Sequence, residues 1–240
     1  MELKVEKEND IQSWEEVVLI YNSALKEVGT KLEILNDEFQ HVHQYNPIEH
    51  IKSRIKTPQS IVKKLKKNHY ESTIANMVEH VNDIAGIRVI CSFISDIYRI
   101  AEMLIKQNDI RVISVKDYIQ NPKPSGYKSY HLLITIPIFL SDRIVDTKVE
   151  IQIRTVAMDF WASLEHKIHY KFEGNVPEHI KKELIECANM VSNLDTKMLS
   201  LNKEVQKLAD QAAEEKEKAA EEKAAENGQP SLPGTRSAVI

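Results

Sequence analysis

The segment Val149-Glu150-Ile151-Gln152-Ile153-Arg154 alternates branched apolar residues with polar ones. As a strand it buries three side chains and projects Glu150, Gln152 and Arg154 from one face. Polar decoration of a strand face is common in antiparallel sheets, so the alternation alone fits a plain surface as well as a site. A second carboxylate, Asp83, stands in Asn82-Asp83-Ile84-Ala85-Gly86, where another strand is expected to begin. Two acidic side chains on neighbouring strands can hold Mg2+ against a triphosphate, because this hard cation takes one or two carboxylates and fills its shell with phosphate oxygens.

Cations are concentrated upstream. Lys52, Arg54, Lys56, Lys63, Lys64, Lys66 and Lys67 occupy a stretch without an acidic residue. A solvated basic helix face and a phosphate site account for it equally well. Pro58 belongs near a helix start, which would aim the following amides and Ser60 toward the same place as Lys56 and Lys64, an arrangement suited to a polyphosphate. None of the six glycines forms GxGxxG or a P-loop, so side-chain cations rather than a backbone cradle must meet any phosphate. The run from Asn121 to His131 carries two prolines, Gly126, Lys123, Lys128, Tyr127, Tyr130 and His131 directly before a strand. A simple turn needs few of these, whereas an aromatic face for a base and cations for its phosphates would use most of them. His41 and His43 lack partners at metal spacing, and His166 and His169 form no HExxH, so all four read as structural or solvent-facing.

The elements that must position these groups follow from periodicity. Ile11, Trp14, Val18, Tyr21, Leu25, Val28, Leu32 and Leu35 lay one apolar seam along a helix, with Asn9 and Asp10 as candidate caps and capping-box spacing from Ser13 to Glu16. A second seam, Leu184, Cys187, Val191, Leu194, Met198, Leu201, Val205 and Leu208, begins after Pro177. Between them, 86–92, 110–118, 130–138 and 148–155 are short β-branched runs suited to strands, with helices expected over 96–107 and 158–171. The result is an α+β architecture: a mixed β-sheet of four to five strands packed with helices, with long N- and C-terminal helices. From about Asp210 the chain turns to Ala, Glu and Lys and then to Gly and Pro, which supply no buried face and predict a disordered tail.

With 240 residues, 42% hydrophobic and 28% charged, one catalytic domain is expected. A net charge of -4 argues against indiscriminate nucleic-acid binding, so any anion site is local. Cys91 and Cys187 both read as core, without a disulfide pattern. No apolar leader or membrane-length run is present, which predicts a cytoplasmic protein with no membrane or DNA partner.

Four ordered motifs, Arg54-Ile55-Lys56, Asp83 to Arg88, Ser125 to His131 and Glu150 to Thr155, together resemble the RelA/SpoT synthetase domain over roughly 45–175, with flanking helices like those of the RelP branch. That resemblance divides the chain into an N-terminal helical segment (1–44), the synthetase domain (45–175), a C-terminal helix (176–211) and a tail (212–240). It implies a nucleotidyltransferase-like fold and pyrophosphoryl transfer from ATP to GDP or GTP, giving ppGpp or pppGpp plus AMP. Carried over residue by residue, Arg54 and Arg88 would sandwich adenine, and Lys56, Ser60 and Lys64 would bind the ATP phosphates. Asp83 and Glu150 would hold Mg2+, with Glu150 also orienting or deprotonating the 3′-hydroxyl. Tyr127 would stack on guanine, Lys123 and His131 would reach its phosphates, and Gln152 would help fix it. Asp159 occupies a position where relatives carry Asn to read the guanine edge; a carboxylate can accept from the same base N–H groups. Long relatives also hydrolyse the alarmone through a domain marked by an adjacent His-Asp pair, and none of the nine histidines here precedes an aspartate, which implies a synthetase without the opposing hydrolase.

The terminal seams call for a partner surface unless both fold back on the catalytic domain, and the family resemblance sets the expected assembly at a homotetramer. Regulation by RNA or by the alarmone stays open. Two rivals share the fold: a noncatalytic nucleotide-sensing or RNA-binding oligomer, and a nucleotidyltransferase that releases pyrophosphate instead of AMP.

Overall fold

A computed structural model describes residues 13–172 and 176–226. Helix α1 (Trp14–His43) starts where Ser13 accepts a hydrogen bond from the Glu16 amide at 3.1 Å, the capping interaction that the Ser13-to-Glu16 spacing predicts. Ile11 and the alternative caps Asn9 and Asp10 lie outside the described residues. Five strands follow: β1 (Ile48–Ile55), β2 (Ala85–Cys91), β3 (Arg111–Asp117), β4 (Tyr130–Phe139) and β5 (Ile144–Thr155). They form one mixed sheet in the order β1-β2-β5-β4-β3, in which the β2–β5 pair is parallel and the others antiparallel.

The first strand was hidden in the cationic stretch. Only Ile48 of β1 is buried, because β1 is an edge strand, so its sequence lacks the apolar alternation that betrays a half-buried strand. Lys52 and Arg54 therefore sit on a strand, Lys56 follows it, and only Lys63 to Lys67 belong to helix α2 (Pro58–Lys67). Three further helices, α3 (Ile74–His80), α4 (Ile94–Ile105) and α5 (Val156–Lys171), complete the layer around the sheet.

Helices α1 and α4 pack on one sheet face. Val17, Tyr21, Val28 and Leu32 of α1 and Ile97, Ile100 and Leu104 of α4 meet Ile87, Val89, Leu132, Ile134, Ile151 and Ile153, all buried. Fully burying a Leu or Ile side chain is worth about 1.5–3 kcal/mol, so this face is the stabilising one. It also absorbs the N-terminal seam: Tyr21, Leu25, Val28, Leu32 and Leu35 are buried within their own chain and need no partner to cover them.

The last helix, α6 (Glu178–Glu226), departs from expectation in two ways. It runs past residue 211 through the Ala, Glu and Lys stretch, since those residues are strong helix formers even where no face is buried. Residues 227–240, the remainder of the expected tail, lie outside the described residues. The buried stripe of its first turns is also rotated. Ala188 and Asp195 are buried and Leu184 and Val191 half-buried, while Cys187 is exposed rather than in the core, as is Leu194. Cys91 is buried as expected. The chain divides into two compact units, one ending at Thr196 and carrying the sheet, the other beginning at Lys197. No helix among the described residues is long and apolar enough to cross a membrane.

Candidate active site

Strand register assembles the polar face. Lys52, Arg88, Gln152, His131 and Lys116 stand side by side across all five strands, and Arg54, Gly86, Glu150, Leu133 and Ser114 form the adjacent row. Side chains two residues apart on a strand share a face, so both rows lie on the side opposite α1 and α4. Three cavities open along this face, of ≈ 270, ≈ 550 and ≈ 240 Å³. Arg54, Arg88 and Gln152 line the first and second, Lys123 and His131 the second and third, and Asp83 and Glu150 the first and third. Shared walls make them lobes of one cleft.

Asp83 lies at the entrance to β2. Lys56, tied by its amide to the Ile84 carbonyl at 2.8 Å, places its ammonium 2.6 Å from Asp83 Oδ2. Lys64, on α2, reaches Oδ1 at 2.7 Å. Burial alone would raise the Asp83 pKa, but the two lysines outweigh it and hold the carboxyl below its ordinary range. Two cations against one carboxylate leave this corner with surplus positive charge, which suits an anionic ligand. Ser60 stands one helical turn before Lys64 on α2 and is exposed; its amide donates to Thr57 Oγ1, the cap of α2, at 3.4 Å, and its hydroxyl accepts from the Thr57 hydroxyl at 2.9 Å.

Glu150 occupies the middle of the sheet. Gln152 donates to its Oε2 at 2.9 Å and His131 Nδ1 lies 3.6 Å from its Oε1. Burial pushes the Glu150 pKa up, but His131 and Gln152 overcome it and hold the carboxyl below its usual value despite nearby Asp83. The His131 orientation is itself fixed. Tyr127 Oη accepts from Arg154 at 2.6 Å and lies 2.8 Å from His131 Nε2, so the other ring nitrogen, Nδ1, is turned toward Glu150.

Arg154 organises this half of the cleft. It is 4% exposed. It donates to Gln152 Oε1 at 2.8 Å and Asp159 Oδ1 at 3.0 Å as well as to Tyr127, so the buried guanidinium is well satisfied. Alternation placed Arg154 on the right face, yet nothing in the sequence showed which groups it would meet. Asp159 also pairs with Arg88 at 3.2 Å, so its charge is shared between two arginines.

The 121–131 loop is held from outside the sheet. Gly126 has φ +88, and a Cβ there would lie 2.6 Å from the Ala188 Cβ, so both backbone and space demand glycine. Lys128 reaches Ser192 at 2.5 Å and Trp161 donates to the Leu184 carbonyl at 2.9 Å, fastening loop and α5 to α6. Lys123 Nζ sits 4.7 Å from the ring centres of both Tyr118 and Tyr127. The second lobe is completed from α5 by Glu165, His166 and Lys167; His166, read as structural or solvent-facing, is exposed and lines this lobe.

A family model described as the region found in RelA / SpoT proteins matches residues 53–175. The GTP pyrophosphokinase YwaC of Bacillus subtilis (strain 168) is 49% identical over 209 residues, covering 85% of this chain and 100% of that protein. The crystal structure of the small alarmone synthetase 2 from Bacillus subtilis superposes with TM-score 0.73 at 49% identity, over 80% of this chain and 98% of that one. That of small alarmone synthetase 1 from the same organism, bound to its product pppGpp, gives TM-score 0.75 at 36% identity over 80% and 98%.

Proposed function

The chain belongs to the RelA/SpoT family, and from that membership we infer that it is a GTP pyrophosphokinase of the small alarmone synthetase type. It transfers the β,γ-pyrophosphoryl group of ATP to the 3′-hydroxyl of GDP or GTP, forming ppGpp or pppGpp and AMP. The observation that carries the residue assignment is the placement of Asp83 and Glu150 on the wall between the Arg54–Arg88 lobe and the lobe lined by Lys123 and His131.

In this assignment ATP occupies the first lobe. Arg54 and Arg88 lie across adjacent strands and flank its adenine; Lys56 and Lys64, gathered at Asp83, meet its phosphates. Ser60 acts at most from the exposed start of α2. The acceptor lies along Lys123, Tyr127, His131 and Gln152, with the Tyr127 ring against guanine. Asp159 acts toward guanine only through an edge not already given to Arg88 and Arg154.

Among the described residues no three His, Cys, Asp or Glu side chains converge on one point, so the protein alone does not build a full metal cage. Two anionic carboxylates on one cleft nevertheless fit a magnesium ion that shares its shell with phosphate oxygens. Held by Asp83 and Glu150, Mg2+ would neutralise charge on the transferred group. Glu150 aligns the 3′-hydroxyl and receives its proton as the oxygen bonds to the β-phosphorus; the bond from that phosphorus to the α,β-bridging oxygen breaks, and AMP departs with that oxygen. At its lowered pKa Glu150 is a weak base, so alignment is its larger contribution.

We also propose a cytoplasmic location and a homotetramer; the exposed apolar seam of α6 supports a partner surface, and the number four follows from the family resemblance. Incubation with ATP and GDP tests the activity: equal amounts of AMP and a 3′-pyrophosphorylated guanosine nucleotide are expected. No turnover would favour a noncatalytic binding role.

A further inference from the structure

Lys148 has no place in the assignment above, yet its ammonium spends all three of its hydrogens. It donates to the Val78 carbonyl at 3.2 Å, the Glu79 carbonyl at 2.7 Å and Asn82 Oδ1 at 3.2 Å. The first two are C-terminal carbonyls of α3, which lack helical partners and carry the partial negative charge of a helix end. The third belongs to the residue immediately before Asp83. On β5, Lys148 is two residues from Glu150 and shares its face, with Thr135 and Leu133 as their cross-strand partners.

We propose that Lys148 is a positioning residue that sets the separation of the two carboxylates by clamping the α3–β2 turn to β5. One strand then presents Glu150 directly and grips the turn that carries Asp83. Without the clamp, Asp83 is left to Lys56 and Lys64, which draw it toward the phosphate-binding corner and away from Glu150. The inference rests on the proposed use of Asp83 and Glu150 as a joint magnesium site, and it makes magnesium-dependent nucleotide binding, rather than acceptor binding, the sensitive quantity.

The test is calorimetric titration of the full chain with ATP carrying a methylene in place of the α,β-bridging oxygen, at graded magnesium concentrations. For Lys148→Met the magnesium concentration giving half-maximal analogue binding is expected to rise by about tenfold or more, as for loss of a residue supporting a metal ligand. Lys148→Arg, which keeps donors for the carbonyls, is expected to lie between the two. The KM for GDP at saturating magnesium should stay within about twofold of wild type. A folded Lys148→Met protein with wild-type magnesium dependence overturns the proposal, as does an equal loss toward both nucleotides. If Lys148→Met does not fold, Asn82→Ala, which removes one of the three acceptors, is expected to show a smaller shift of the same sign; its absence likewise overturns the clamp. A wild-type protein that binds the analogue with magnesium but makes no AMP from ATP and GDP would defeat the enzymatic assignment and leave the clamp standing.

Discussion

At the residue scale, the hydrogen bonds around Glu150 and Tyr127 decide what substitutions should do. Glu150→Gln keeps volume but removes the anion and any proton acceptance, so kcat is expected to fall roughly 10²-fold or more with folding retained, checked by steady-state kinetics and circular dichroism. Tyr127 requires a sharper distinction than its ring alone would give. Stacking on a base survives loss of the hydroxyl and is worth about 1–3 kcal/mol. Here, however, the hydroxyl bridges Arg154 and His131, so Tyr127→Phe removes the contact that fixes His131 beside Glu150. Tyr127→Phe is therefore expected to lower kcat by about 3- to 10-fold, the scale of one hydrogen bond, with little change in acceptor KM. Tyr127→Ala should raise the KM for GDP more than that for ATP. Residue types and order made Asp83, Glu150, Tyr127 and His131 visible in the sequence, whereas the buried Arg154 hub was not, because alternation gives a face and never a partner.

Among elements, α6 matters through the side chains of its first turns, which belong to the same compact unit as the sheet. Thr155 caps α5 by accepting from the Met158 amide at 3.1 Å, and its hydroxyl donates to Asp195 Oδ2 of α6 at 2.6 Å. Burial raises the Asp195 pKa more than Thr155 and Lys128 lower it. A folded-state pKa above the unfolded value gives stability that is present at low pH and lost as pH rises through the folded value. Asp195→Asn keeps an acceptor for Thr155 and removes the charge, so relative to wild type it should be neutral to stabilising at pH 7, an advantage that shrinks as the pH falls below the unfolded carboxylate range; denaturant titrations at both pH values check it. The elements most legible in the sequence were the interior strands with β-branched runs, such as β4, expected over 130–138 and found over Tyr130–Phe139, while α1 and β5 were recognised by their period but extend beyond the expected ends. The edge strand β1 has no buried alternation to reveal it, and the true stripe of α6 passes through Ala188 and Asp195, residues that no hydrophobic pattern selects.

For the whole molecule, the two terminal seams part company. The α1 seam is consumed by the sheet of its own chain, so Leu25→Glu is expected to unfold the protein by burying an unpaired charge. Met198, Leu201, Val205 and Leu208 of α6 are exposed, and Leu201→Glu should leave folded subunits of lower mass in light scattering at micromolar concentration. A stable wild-type monomer would remove the assembly from the proposal. The most direct measurement of the central claim, transfer at the β-phosphorus of ATP, uses ATP labelled with oxygen-18 in the α,β-bridging position together with GDP. Mass spectrometry should find the label in AMP, in amounts equal to the guanosine product, and Glu150→Gln should suppress both; label appearing in released pyrophosphate would mean attack at the α-phosphorus and would contradict the account.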